Sequence, residues 1–106
     1  MKRTAAREIA VQLGFCANAS EKPVDELLNG FFDKEYYETL AEESELFAEY
    51  PEKKQQEYIK RLVSTMDDYR IQIEKYIEKY AQGWKTTRIS KTAMAILRCA
   101  VCEIMY

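Results

Sequence analysis

The chain closes on "AMAILRCAVCEIMY", and between Met94 and Tyr106 only Arg98 and Glu103 carry charge. Advancing about 100° per residue, Ala93, Ile96, Leu97, Ala100, Val101 and Ile104 fill one helical face. Ala95, Cys99, Cys102 and Tyr106 continue around the other. A helix that is apolar nearly all round has to be covered on several sides. Each large apolar side chain left in water forfeits about 1.5–3 kcal/mol, against a whole-domain stability of about 5–15 kcal/mol. Whatever this chain folds into must wrap its last segment.

The preceding residues supply helices to do it. From about Thr4 to Asn18, Ala6, Ile9, Ala10, Leu13, Cys16 and Ala17 share one face, a core stripe. "NASEKPVDELLNGFF" offers Ser20 as a cap and Pro23 near a helix start, with Leu27, Leu28, Phe31 and Phe32 as buried candidates. "DKEYYETLAEESELFAEYPEKK" is acidic with scattered aromatics and reads as a connecting segment with a partial helix. Ile59, Leu62, Val63, Met66, Tyr69, Ile73, Tyr76, Ile77 and Tyr80 then step by three and four. "MDDY" is placed to bend or divide this run, Gly83 to end it, and Ser90 to cap the final helix. No strand is predicted. The fold class is all-α, a helical bundle.

At 106 residues, 47% hydrophobic and 32% charged, the chain reads as a single domain large enough for a real core. No run is long enough to span a bilayer, and "MKRTAAREIAVQLGF" lacks the features of a secretory leader. A cytoplasmic location is expected, and three cysteines fit reduced thiols rather than a disulfide framework. The net charge of −2 is unevenly spread, with an acidic middle over residues 20–57 between two basic ends. Coating of long nucleic acids is disfavoured, while a local basic patch is allowed.

Catalytic patterns are lacking. Without histidine there is no Ser-His or Cys-His pair and no His-containing metal site. No Gly-rich phosphate loop or other cofactor pattern occurs. Cys99 and Cys102 form a C-x-x-C, but a structural zinc needs four ligands and only Cys16 remains as a further thiol. Redox pairs sit at helix N-termini, whereas this pair lies inside an apolar helix. They read as core residues, and the acids of the middle segment as a solvated helix face. No catalytic, metal or cofactor residue is assigned.

The first helix carries more information. Opposite its core stripe stand Arg3, Arg7, Val11, Gly14, Phe15 and Asn18. Arginines one turn apart, beside an aromatic turned away from the core, suit single-stranded RNA, whose unstacked bases need a flat apolar surface as well as charge. The competing account packs Val11 and Phe15 under the acidic segment and leaves the arginines as solvated charges. On these residues alone the two stand level.

"RTAAREIAVQLGF" resembles the opening helix of the NusB family of bacterial transcription antitermination factors, through Ala6-Arg7-Glu8, Ala10, Val11, Gln12 and Phe15. "YIKRLVSTM" and "IEKYIEKYAQGWKTTRISKTAMAILRCAVCEIMY" are similar to the family's central helices, with Trp84, Arg88, Ile89 and the Leu97-Arg98-x-Ala-x-x-Glu pattern. The acidic middle matches only in helical character. The resemblance implies a NusB-like bundle truncated before its last two helices, with residues 1–50 as one helical half and 51–106 as an incomplete second. It implies binding of boxA RNA of ribosomal operons by Lys2, Arg3, Arg7, Gln12 and Phe15. A small-subunit ribosomal protein (NusE) would bind alongside, within an antitermination complex on RNA polymerase. Ala93-Met94 stands where the family commonly has an acid-base pair, which alters the expected ribosomal-protein surface.

Two further readings belong to other classes. The same domain occurs as the RNA-guiding part of a ribosomal-RNA cytosine methyltransferase, and a plain helical dimerisation module would use the stripe of Tyr69, Tyr76 and Tyr80. A chain ending at Tyr106 is expected to self-associate, or to exchange helices between protomers, through its bare last helix.

Overall fold

The computed structural model describes residues 2–80 and 90–106. Among them are six α-helices, one 3-10 turn and no strand. Helix α1, Arg3–Ala19, lies at the centre and packs chiefly on α4, Lys53–Asp68, and on α6, Lys91–Met105. Its core stripe explains why. Ala6 and Ala10 are fully buried, and Ile9 and Leu13 interleave with them. Methyl-sized side chains every few residues let two neighbouring helix axes come close while Ile and Leu fill the gaps. Gly14 extends the seam, since a Cβ there would stand 3.0 Å from Met66 Cε on α4.

Helix α2, Val24–Phe31, starts after Pro23, whose φ of −57° is already helical in value. It contributes Leu28 to the core, and Phe32 follows just beyond its end. Ser20 terminates α1, and its Oγ accepts from the Lys22 N–H at 3.1 Å, shaping the bend rather than capping α2.

The acidic middle is better ordered than a connecting segment. Asp33 caps α3, Lys34–Leu40, by accepting from the Tyr36 N–H at 3.1 Å. Tyr37 is buried, edge-on to Phe31, Phe47 and Tyr50 at centroid distances of 5.5, 5.9 and 5.1 Å. The 3-10 turn Glu45–Phe47 brings in Phe47. Tyr37 Oη donates to the Glu49 carbonyl at 3.0 Å and Tyr50 Oη to the Phe32 carbonyl at 2.5 Å. These aromatics follow no helical period, because they pack as a cluster across a turn instead of along one face.

The long periodic run divides where "MDDY" stands. Tyr69, at φ −107° and ψ 21°, ends α4, and α5 occupies Arg70–Tyr80. Ile59, Leu62, Val63 and Met66 of α4 and Ile73 and Ile77 of α5 are buried. The tyrosines that shared their period are not, with Tyr69, Tyr76 and Tyr80 all exposed at the edge of the stripe. Gly83, Trp84, Arg88 and Ile89 lie outside the described residues. Ser90 caps α6 as expected, its Oγ accepting from the Ala93 N–H at 3.1 Å.

Two buried-face expectations need correction. Cys16 is exposed, because its position at the margin of the α1 stripe opens onto a groove between α1, α2 and α3. In α6 the covered side is the small one, Ala95, Cys99 and Cys102, while Ile96 and Ile104 are 54% and 80% exposed. Small residues let α6 seat closely against α1, α4 and α5, and that contact fixes its rotation. Ile59→Ala is therefore expected to cost about 2–5 kcal/mol in urea denaturation. Ile96→Ala should stay within about 0.5 kcal/mol.

Candidate nucleic-acid interface

Helices α1 and α6 run antiparallel, and one ion pair clasps them. Arg7 Nε donates to Glu103 Oε1 at 2.6 Å and its Nη2 to Oε2 at 3.2 Å, a two-pronged contact between residues 96 apart in sequence. Toward the opposite ends of the two helices, Gly14 and Asn18 face Ala95 and Arg98 across a cavity of about 30 Å³. The side chains of Arg7 and Glu103 remain 44% and 26% exposed, so the pair sits at the rim of the seam. Arg98 makes a second bridge, from Nη2 to Glu74 Oε1 of α5 at 3.0 Å.

Arg7 is thus not the unattached arginine expected opposite Ile9 and Leu13. Rotation about α1 carries it 160° or so from Ile9, but α6 wraps far enough round to meet it. The contact uses Nε and Nη2, and the Arg7 side chain stays 44% exposed beside it. A guanidinium held this way keeps its outward donors in a fixed orientation.

Arg3, one turn earlier, lies with Cζ 4.0 Å above the centre of the Tyr58 ring. Tyr58, on α4, thereby joins the two arginines. Its hydroxyl is buried against the Arg7–Glu103 pair without a well-formed hydrogen bond, and burial raises its pKa. Lys2 is exposed at the entrance to α1. Phe15 is 38% exposed, while Val11 is half-buried against the core. Gln12 stands elsewhere, lining the 460 Å³ groove that also holds Cys16, Lys22, Leu27 and Phe31.

The residues predicted for RNA therefore divide around α1. Arg3 and Arg7 gather at Tyr58, Phe15 lies further along, and Gln12 opens to the opposite flank. Tyr58, Lys54 and Arg61 escaped the sequence reading, although their spacing of four and three along α4 signals a common stripe. Arg3, Lys54, Glu57, Tyr58 and Arg61 line one groove of about 360 Å³.

The cysteines are distinguished by their surroundings. Burial, reinforced by Glu103, pushes the Cys99 thiol up to about 12, and burial raises Cys102 as well. Thiolate chemistry is suppressed at both, in keeping with their place in the core. Among the described residues no cluster of His, Cys, Asp or Glu is arranged to hold a metal ion. A thiol reagent is expected to label Cys16 quickly in the folded protein and to reach Cys99 and Cys102 only on unfolding.

Glu103 titrates against this background. The Arg7 hydrogen bond holds its carboxyl below the usual range, outweighing the partial burial that acts the other way. A depressed folded-state value means the carboxylate contributes stability above the unfolded glutamate value, lost as pH falls through the folded one. Glu103→Gln should remove this part of the acid dependence in urea midpoints measured across pH. Arg7→Ala should lower the midpoint at neutral pH and add little once Glu103→Gln is present.

Among the described residues no helix is long and apolar enough to cross a membrane. Residues 4–106 match the family model described as "NusB family". Among similar proteins are three named "Transcription antitermination protein NusB". That of Thermoanaerobacter sp. (strain X514) is 31% identical over the whole chain, which covers 65% of its length. Those of Natranaerobius thermophilus and Clostridium novyi (strain NT) are 32% and 30% identical, again over the whole chain, with 68% and 71% of their lengths covered. The chain thus spans about two thirds of the length of these relatives. No solved structure matches it. With the family model matching residues 4–106 and a relative 32% identical over the whole chain, the chain belongs to the NusB family.

Proposed function

We infer that this protein is a non-catalytic, RNA-binding subunit of a cytoplasmic transcription antitermination assembly. Its ligand is boxA-like single-stranded RNA of ribosomal operons, and a small-subunit ribosomal protein (NusE) binds beside it on the RNA polymerase complex. The observation that carries the reading is Arg3 stacked on Tyr58 next to the clasped Arg7. Two guanidinium groups are held in place at one edge of α1 in a chain whose relatives are named antitermination proteins. Those names favour this reading over a methyltransferase appendage.

The roles follow from chemistry. Lys2 and Arg3 meet phosphates and fix the register of the strand. Arg7 offers the edge that Glu103 leaves free, and Phe15 supplies a flat surface for a base. Gln12, on the other flank, serves a nucleotide that passes over α1 toward α2. None of these contacts needs bond making or breaking.

Titration of boxA-like RNA, with and without the ribosomal protein, tests the reading. Phe15→Ala should cost about 1–3 kcal/mol of binding and leave the salt dependence nearly unchanged, because stacking releases no counterions. Arg3→Ala should weaken binding and flatten the salt slope together. If Phe15→Ala chiefly melts the protein while affinity per folded molecule is kept, Phe15 belongs to the core and this RNA face is wrong.

A further inference from the structure

The strongest unassigned feature is the groove along α4. Lys54, Tyr58 and Arg61 stand on one stripe of that helix, and Arg3 of α1 closes the groove over the Tyr58 ring. Lys54 and Arg61 are exposed, and neither belongs to the ion pairs found among the described residues, Arg7–Glu103 and Arg98–Glu74. One acid, Glu57, shares the lining. A second hollow of about 190 Å³ continues along α4 from Tyr58 and Arg61 to Thr65 and Tyr106. Its carboxylate, Glu103, is already neutralised by Arg7. At the far end the rings of Tyr106 and Tyr69 stack 4.1 Å apart at 17°, with both residues exposed.

We propose that this groove, through Arg3, Lys54 and Arg61, is a phosphate track that carries the RNA strand off α1 and along α4. The proposal rests on the RNA reading above and extends it to a helix that reading leaves unused. Lys54 and Arg61 are seven residues apart, hence separated by about 10 Å along the helix axis. They address successive stretches of a backbone rather than one small anion. A nucleic acid fits better than an acidic peptide because the track ends on an exposed aromatic stack, the kind of surface on which bases lie. Arg3 gains from its place over Tyr58: the ring restrains the guanidinium without neutralising it, so its charge stays available to a phosphate.

Salt-dependent titration of a short fluorescein-labelled boxA-like RNA against the full chain decides the matter. The double variant Lys54→Ala/Arg61→Ala should bind roughly tenfold more weakly near 0.1 M salt, with a slope of log affinity against log salt smaller by about 1.4. Lys75→Ala, removing a charge from α5, should leave both near wild type. Circular dichroism and urea midpoints should be unchanged in both variants, since the three residues are exposed. Wild-type affinity and slope in the double variant, while Phe15→Ala still weakens binding, would overturn the track and leave the RNA reading standing. Wild-type RNA binding combined with lost affinity for the ribosomal protein would also overturn it, making the groove a protein surface. Absence of RNA binding by the unmodified chain would end both.

Discussion

Everything in this bundle hangs on the small-residue stripe of α1. Ala6 and Ala10 are wholly buried, and Gly14 comes within contact of Met66. These positions set how closely α4 and α6 approach, and hence whether Ile9 and Leu13 meet Ile59, Val63 and Cys99 in one continuous core. A larger side chain in the row would push a neighbouring axis outward, and packed interiors pay for such shifts along the whole interface. The core is assembled round a helix that is thin on the inside.

The same geometry decides the electrostatics at the rim. Because α6 sits so near α1, Glu103 reaches Arg7 and both prongs of the guanidinium find an oxygen. Partial exposure keeps the pair modest as a source of stability, since water and salt screen it. Its larger effect is orientation. It fixes Arg7 beside Tyr58 and Arg3, and it neutralises Glu103 at the mouth of the hollow along α4.

Local signals were legible where one residue acts through its own backbone or its own period. The extent of α1, the break near Tyr69 and the Ser90 cap all belong to this class, because each depends on neighbours within a turn or two. Faces shared between helices were not legible in the same way. Periodicity placed Arg7 opposite the core but could not say that α6 curls round to meet it. It likewise grouped Tyr69, Tyr76 and Tyr80 with buried isoleucines, although the tyrosines fall just past the covered arc. Tyr37, Phe47 and Tyr50 form a cluster that no single helix spells out, so an acidic, aperiodic stretch hid a packed one. The basic groove was missed for a related reason: Arg3 comes from one helix and Lys54 and Arg61 from another, and only the fold brings them together.

The clasp between Arg7 and Glu103 joins residues 96 apart in the chain, and this has a consequence for how the protein is made. Helix α1 is synthesised first, yet the surfaces that cover it, on α4 and α6, are synthesised much later. At about 5–20 residues per second, α1 would wait on the order of ten seconds for its last partner. Short amphipathic helices are marginal on their own, so α1 spends that interval largely unformed rather than as a finished helix displaying Ile9 and Leu13. The first helix to be made is therefore the one whose surroundings are completed last, when α6 follows α4 onto it.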